Sequence, residues 1–156
     1  IGLDVDIRSH NRESIEAHPM THMIEMIEGS SVSDEVVQAV HRRAGNFERI
    51  LVALDSNHTH DHVLSELEAY APLTSLDSYC VVWDTGIETL PAGSCDDRPW
   101  DVGNNPMTAV LEYLQRVESE GRKASDGADI RFDVDRRIEK KIMITAGPNG
   151  FLKRVG

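Results

Sequence analysis

Arg49-Ile50-Leu51-Val52-Ala53-Leu54-Asp55-Ser56-Asn57-His58-Thr59-His60-Asp61-His62 decides how the remaining residues are read. Five consecutive apolar residues bounded by polar ones describe a short strand buried on both faces, as in a parallel sheet covered by helices. The run stops at Asp55, and three imidazoles follow closely. In open α/β sheets ligands gather just beyond the carboxyl ends of the strands, so this junction is where chemistry is expected.

On its C-terminal side, Val63, Leu67 and Tyr70 recur at helical spacing as far as Pro72. Tyr79-Cys-Val-Val-Trp83-Asp84 is another buried strand that ends in an acid. Thr85 to Asn104, rich in Gly, Pro and Asp around Trp100, describes a long loop of the kind that serves as a lid or binding loop. Asn105 caps and Pro106 opens a helix whose Met107, Val110, Leu111, Leu114 and Val117 form one apolar stripe. Glu118 to Gly127 is polar and is expected to be mobile. Ile130–Val134 and Lys141–Ala146 are predicted strands, and Gly147-Pro148-Asn149-Gly150 turns the second of them into Phe151–Val155 as an edge hairpin.

On its N-terminal side, Ile1–Ile7 predicts a strand, Ser9 or Asn11 caps a short helix that ends by Pro19, and His22–Glu28 predicts a second strand. After the turn Gly29-Ser30-Ser31, Ser33 caps a helix with Asp34 and Glu35 in its first turn and Arg42 and Arg43 in its last, closed by Gly45. Strand and helix alternate at least four times. That describes a single α/β domain over residues 1–156, a doubly wound Rossmann-like sheet with an antiparallel C-terminal hairpin.

The 156 residues, 40% of them hydrophobic, suffice for one core. With 27 acids against 16 bases, the net charge of −11 repels nucleic acid and anionic membranes, so a neutral or cationic small molecule or a metal ion is the expected partner. Two cysteines, one inside an apolar run, give no disulfide framework and point to a reducing cytoplasm. Neither a membrane span nor a signal peptide is expected. The first residue is Ile1, read as lying within a strand, so a segment upstream is expected to have been lost. A homo-oligomer is left open.

Two strands deliver Asp55 and Asp84 to one sheet edge if they are parallel neighbours, and paired carboxylates suit a hard divalent cation such as magnesium. Otherwise each acid caps the turn that follows it. His58, His60 and His62 fall one residue short of the His-x-His-x-Asp-His pattern of zinc-dependent hydrolases, and a deletion there re-aims every later ligand. Read simply, His60 and His62 are first-turn helix residues, whereas His58 lies in the loop overhanging a ligand at Asp55. Asp4 or Asp6, ending the first strand, either accepts hydrogen bonds from a ribose or is a solvated strand end.

Five segments carry a family likeness: Asp4-Val-Asp-Ile-Arg-Ser-His-Asn-Arg12, Ile27-Glu-Gly-Ser-Ser31, Leu54-Asp-Ser-Asn-His58, Asp84-Thr-Gly-Ile-Glu88 and Arg98-Pro-Trp-Asp-Val-Gly-Asn-Asn-Pro-Met-Thr-Ala-Val110. Together they resemble the cephalosporin hydroxylase and rhamnosyl O-methyltransferase family, whose members have the class I S-adenosylmethionine-dependent methyltransferase fold. The resemblance implies methyl transfer to a hydroxylated small molecule or sugar, with S-adenosylmethionine and magnesium as cofactors. It implies that Asp4 meets the cofactor ribose, that Gly29, Ser30 and Ser31 border the adenine, and that Asp55 and Asp84 hold magnesium. His58 then takes the place of the catalytic base, and Trp100, Asn104 and Asn105 belong to the substrate lid.

The chain departs from that family twice. Trp83-Asp84 stands where relatives have Glu-Asp, so an indole replaces one carboxylate ligand. The first strand and its Gly-rich turn, which hold the methionine end of the cofactor, belong upstream of Ile1 and between the strands ending at Asp6 and Asp55. A gap in mid-sheet is therefore expected, with poor stability or inactivity. The competing reading is a truncated relative that binds ligand without catalysis.

Overall fold

A computed structural model describes residues 1–156. The chain forms two compact units, Ile1–Asn46 and Phe47–Gly156, and each is described by itself. The six strands divide at the same point, into a two-stranded and a four-stranded sheet. No helix is long and apolar enough to cross a membrane.

In the first unit β1 (Gly2–Asp4) lies parallel to β2 (Met26–Glu28), with Leu3 opposite Ile27, and α1 (Ser9–Glu16) connects them. Both strands are shorter than predicted. The Asp6 amide turns back onto Asp4 Oδ1 at 3.1 Å and ends β1. His22 and Met23, expected to open β2, lie in the 3-10 turn Thr21–Met23 instead. α2 (Asp34–Ala44) starts after Ser33 and stops before Gly45, where the charges at its ends match the helix dipole. The Ser33 hydroxyl donates to the Ser30 carbonyl at 3.0 Å and makes no capping bond to the helix.

In the second unit the chain runs β3 (Val52–Leu54), α3 (His60–Tyr70), β4 (Tyr79–Val82), α4 (Pro106–Glu120), β5 (Phe132–Val134), α5 (Arg136–Ile142) and β6 (Phe151–Arg154). The strand order is β3-β4-β6-β5, with β3 and β4 parallel and the other two pairings antiparallel. Leu67 of α3, Val82 of β4, Val110 and Tyr113 of α4 and Leu152 of β6 are fully buried and make the centre of the core. Each such side chain contributes about 1.5–3 kcal/mol relative to an exposed one.

Three expectations are corrected here. β3 is an edge strand buried on one face only, with Val52 and Leu54 inside and Leu51 60% exposed. In α4 the buried stripe runs through Ala109 and Tyr113, while Leu111 points to solvent. Lys141–Ala146 is no strand. Asp135 caps a helix there, accepting from the Arg137 amide at 2.9 Å, and Ile144 beyond it is 87% exposed. The expected antiparallel end is present, but β6 pairs with β4 and β5. Gly147–Gly150 is a turn as predicted, closed by Gly150 N–H to Gly147 C=O at 2.9 Å, with Asn149 at φ 60°. It packs against the end of β4, since the Val82 amide donates to the Gly150 carbonyl at 2.9 Å.

Arg154, the largest fully buried side chain, ties the loops behind this sheet together. It donates to the carbonyls of Thr74 (2.8 Å) and Gly156 (3.0 Å) and pairs with both oxygens of Asp126 (2.9 and 2.8 Å). The guanidinium holds the Asp126 carboxyl below the usual carboxylate range.

Candidate metal centre

Parallel pairing sets Leu54 opposite Val82, so the next two positions on each strand leave the sheet side by side. Were both strands to continue regularly, Asp55 and Trp83 would share one face and Asp84 would project from the other. Asp84 breaks the alternation by adopting a left-handed backbone (φ 55°, ψ 20°), which short polar side chains tolerate best. The chain on either side of it is fixed: Trp83 N–H donates to the Leu54 carbonyl (3.0 Å), Gly86 N–H to that of Ala146 (3.1 Å), and the buried Thr85 hydroxyl to that of Pro148 (2.7 Å). The Trp83 indole turns toward Phe151, edge to face at 6.0 Å.

As a result the ligand atoms of Asp55, His58 and Asp84 lie within 4.8 Å of one another. His58 Nε2 is 3.4 Å from Asp55 Oδ1 and 3.4 Å from Asp84 Oδ2, with its side chain mostly buried and both acids partly exposed. Two carboxylate oxygens reached by solvent, with one imidazole nitrogen beside them, suit a divalent cation that retains several waters or substrate oxygens. The Trp100 ring lies over His58 (centroids 4.9 Å apart), and the Arg98 guanidinium lies 5.7 Å from the Trp100 ring.

The three histidines do not converge. His60 places Nδ1 at 2.8 Å from the Thr108 hydroxyl and Nε2 at 3.1 Å from Glu112, while His62 faces Glu66 at 3.5 Å. His60 and His62 open α3, and only His58 reaches the aspartates.

The loop before α4 is tied down by side chains. Asn105, with none of its surface exposed, caps α4 by accepting from the Met107 amide (2.9 Å), and its own amide donates to Glu88 (2.5 Å) and to the Asp101 carbonyl (2.9 Å). Its amide is thus committed to shaping the loop. Asn104 is exposed at the site's rim, accepting from the His60 amide and donating to the Pro99 carbonyl, both at 2.9 Å. Trp100 is half-buried. Sequence reasoning gave no role to Glu88, which also accepts from the Gly103 amide at 2.8 Å. Nor did it note Glu66, whose Oε1 accepts the Ser56 hydroxyl at 2.7 Å. The signal for Glu66 was an acid at helical spacing between Val63 and Tyr70.

The residues matched to the cofactor lie in the first unit, at the carboxyl end of β1 and β2. Gly29 N–H donates to the Asp4 carbonyl at 2.9 Å, and Asp4 Oδ1 is held by the Asp6 amide. Gly29 has φ 152°, and a Cβ there would come within 2.7 Å of the Val36 side chain, so glycine is required. Ser30 and Ser31 follow in the turn leading to α2, with the Ser30 carbonyl bonded to Ser33.

A curated rhamnosyl O-methyltransferase of Mycobacterium bovis (strain BCG / Pasteur 1173P2) is 30% identical over 129 residues, which cover 82% of this chain and 46% of that protein. That of Mycobacterium leprae (strain TN) is 28% identical over 153 residues, 97% of this chain and 58% of the relative. The chain thus spans about half the length of the curated relatives it matches. The solved structure of the MycE methyltransferase from the mycinamycin biosynthetic pathway, in complex with Mg and SAH, superposes with a TM-score of 0.55 at 18% identity, covering 99% of this chain and 36% of that one. The likeness shows a shared fold. Since the family description for rhamnosyl O-methyltransferase/CmcI matches residues 1–155, nearly the whole sequence, this chain belongs to that family.

Proposed function

We propose that the chain is part of an S-adenosylmethionine- and magnesium-dependent O-methyltransferase acting on a hydroxylated small molecule or sugar. The observation that carries this reading is the convergence of Asp55, His58 and Asp84 from two adjacent parallel strands. The donor set fits a hard cation, and the relative of the same fold described with Mg and SAH makes magnesium and a methyl donor the natural choice. Asp55 and Asp84 would hold the ion, which when bound lowers the pKa of a coordinated hydroxyl.

His58 is the acid–base residue of this proposal. Its Nε2 takes the acceptor's hydroxyl proton, and the flanking carboxylates at 3.4 Å stabilise the imidazolium that forms. Trp100 walls off one side of the imidazole and limits water there. Asp4 would accept from the cofactor ribose, with Gly29, Ser30 and Ser31 beside the adenine, at the strand ends where nucleotide-type ligands bind in α/β sheets.

Titration with Mn2+, followed by electron paramagnetic resonance and competed with Mg2+, together with calorimetry of S-adenosylmethionine, tests the proposal. One Mn2+ per chain is expected, and Asp55→Ala should weaken its binding about 100-fold or more, because removing even an outer-shell partner costs roughly 10–100-fold. An Asp55→Ala chain that binds Mn2+ as tightly as the parent would remove the metal role. The zinc hydrolase reading would require His60→Ala to abolish tight Zn2+ uptake. A non-catalytic relative would bind both ligands yet methylate no acceptor in the full-length protein.

A further inference from the structure

Glu66 sits where an acid is least expected. It lies on the buried stripe of α3 with Val63, Leu67 and Tyr70 and is 3% exposed. One of its oxygens, Oε2, is buried without a hydrogen-bond partner. Its charge reaches the core: the Cys80 thiol is pushed up to about 12, mainly by burial and further by Glu66. An incompletely satisfied buried carboxylate costs stability, and a leucine of similar size would suit the stripe better.

Besides facing the His62 imidazole, whose Nε2 lies 3.5 Å from Oε1, Glu66 accepts a 2.7 Å bond from the Ser56 hydroxyl at Oε1. Ser56 stands between Asp55 and His58 in a turn whose residues Asp55, Ser56 and Asn57 are exposed. Beyond Ser56, the turn is held by the Thr59 amide on Asn57 Oδ1 (2.9 Å) and the His60 amide on Asn104 Oδ1 (2.9 Å). The Ser56 hydroxyl therefore ties this turn to a buried group.

We infer that Glu66 is a positioning residue of the candidate metal centre: through the Ser56 hydroxyl it fixes the Asp55–His58 turn so that Asp55 and His58 face Asp84. This rests on the metal reading above, and it adds a buried side chain that never touches the ion. Partners of this kind orient the groups that ligate.

The experiment compares the full chain with its Ser56→Ala, Glu66→Leu and Glu66→Gln variants by Mn2+ affinity, amide exchange at Thr59 and His60, and thermal melting. Ser56→Ala and Glu66→Leu should weaken Mn2+ binding roughly 10–100-fold and speed exchange at the two amides about tenfold. Glu66→Gln keeps the acceptor oxygen and should stay within about threefold of the parent. Glu66→Leu should melt no lower than the parent, which a purely structural role for the carboxylate would not allow. Parental affinity and exchange in Ser56→Ala overturn the inference, as does a loss in Glu66→Leu that merely follows a lowered melting temperature and is not rescued by Glu66→Gln. If the parent takes up no Mn2+, the metal reading falls by itself. Exchange at Thr59 and His60 then decides for Glu66, with faster exchange in Ser56→Ala supporting it and unchanged exchange overturning it.

Discussion

Asp84→Gly is expected to lower Mn2+ affinity by about 100-fold or more while leaving the fold almost as stable as before. The two effects separate because Asp84 holds a conformation that suits glycine. At φ 55° a residue with a Cβ carries a strain of roughly 1–2 kcal/mol, less for Asp, and glycine carries none. Against that, glycine raises the entropy of the unfolded chain by about 0.5–1 kcal/mol. Removing one of two neighbouring carboxylates also relieves their repulsion, already reduced because both are partly in water. Paired Mn2+ titrations and melting curves check this. A variant that loses stability along with affinity would mean that the Asp84 side chain is a structural cap; one that keeps its affinity would remove Asp84 from the metal site.

The second large effect is expected at Gly150→Ala, and it falls on stability. A Cβ at Gly150 would come within 2.1 Å of the Val82 carbonyl oxygen and 3.1 Å of that of Gly147. Both are backbone atoms, and Val82 is the last residue of β4, held in its ladder by the Val82 N–H to Gly150 C=O bond. No flexible side chain can move aside, so the strand end and the turn must part. A loss of about 3 kcal/mol is expected, at the upper end of what overpacking costs. Urea unfolding should show a lower midpoint with an unchanged slope. Asn149→Gly is the control: at φ 60° glycine meets no penalty and the midpoint should stay close to the parent's. A Gly150→Ala chain with the parental midpoint would show that the turn is free to retreat from β4.

Much of this was legible where several local signals coincide. Ser33, Asp34, Glu35, Arg42, Arg43 and Gly45 mark both ends of α2, and Asn105 with Pro106 marks the start of α4. Asp55, His58 and Asp84 could be picked out because each closely follows an apolar run, and strand ends are where α/β folds bind ligands. What brings the two acids together was not legible, since nothing in Val82-Trp83-Asp84-Thr85 announces a left-handed backbone. Ile142, Met143 and Ile144 misled for a different reason. Apolar residues clustered near a turn read as a strand, but here they are exposed, and the helix that Asp135 starts runs on to Ile142. Glu66 was hidden by its setting, because an acid on an apolar stripe is normally assigned to the solvent side and only the packing of α3 shows it inside.

The ring pair His58–Trp100 gives the site an optical signal of its own. The sequence has two tryptophans: Trp100 lies against the imidazole, and Trp83 immediately precedes Asp84. Indole emission responds to charge placed near the ring, and a cation held beside His58 brings new charge close to Trp100. Intrinsic fluorescence should therefore change as the centre fills, giving a label-free titration in which Trp100→Phe removes the response; a Trp100→Phe chain that still responds would assign the signal to Trp83.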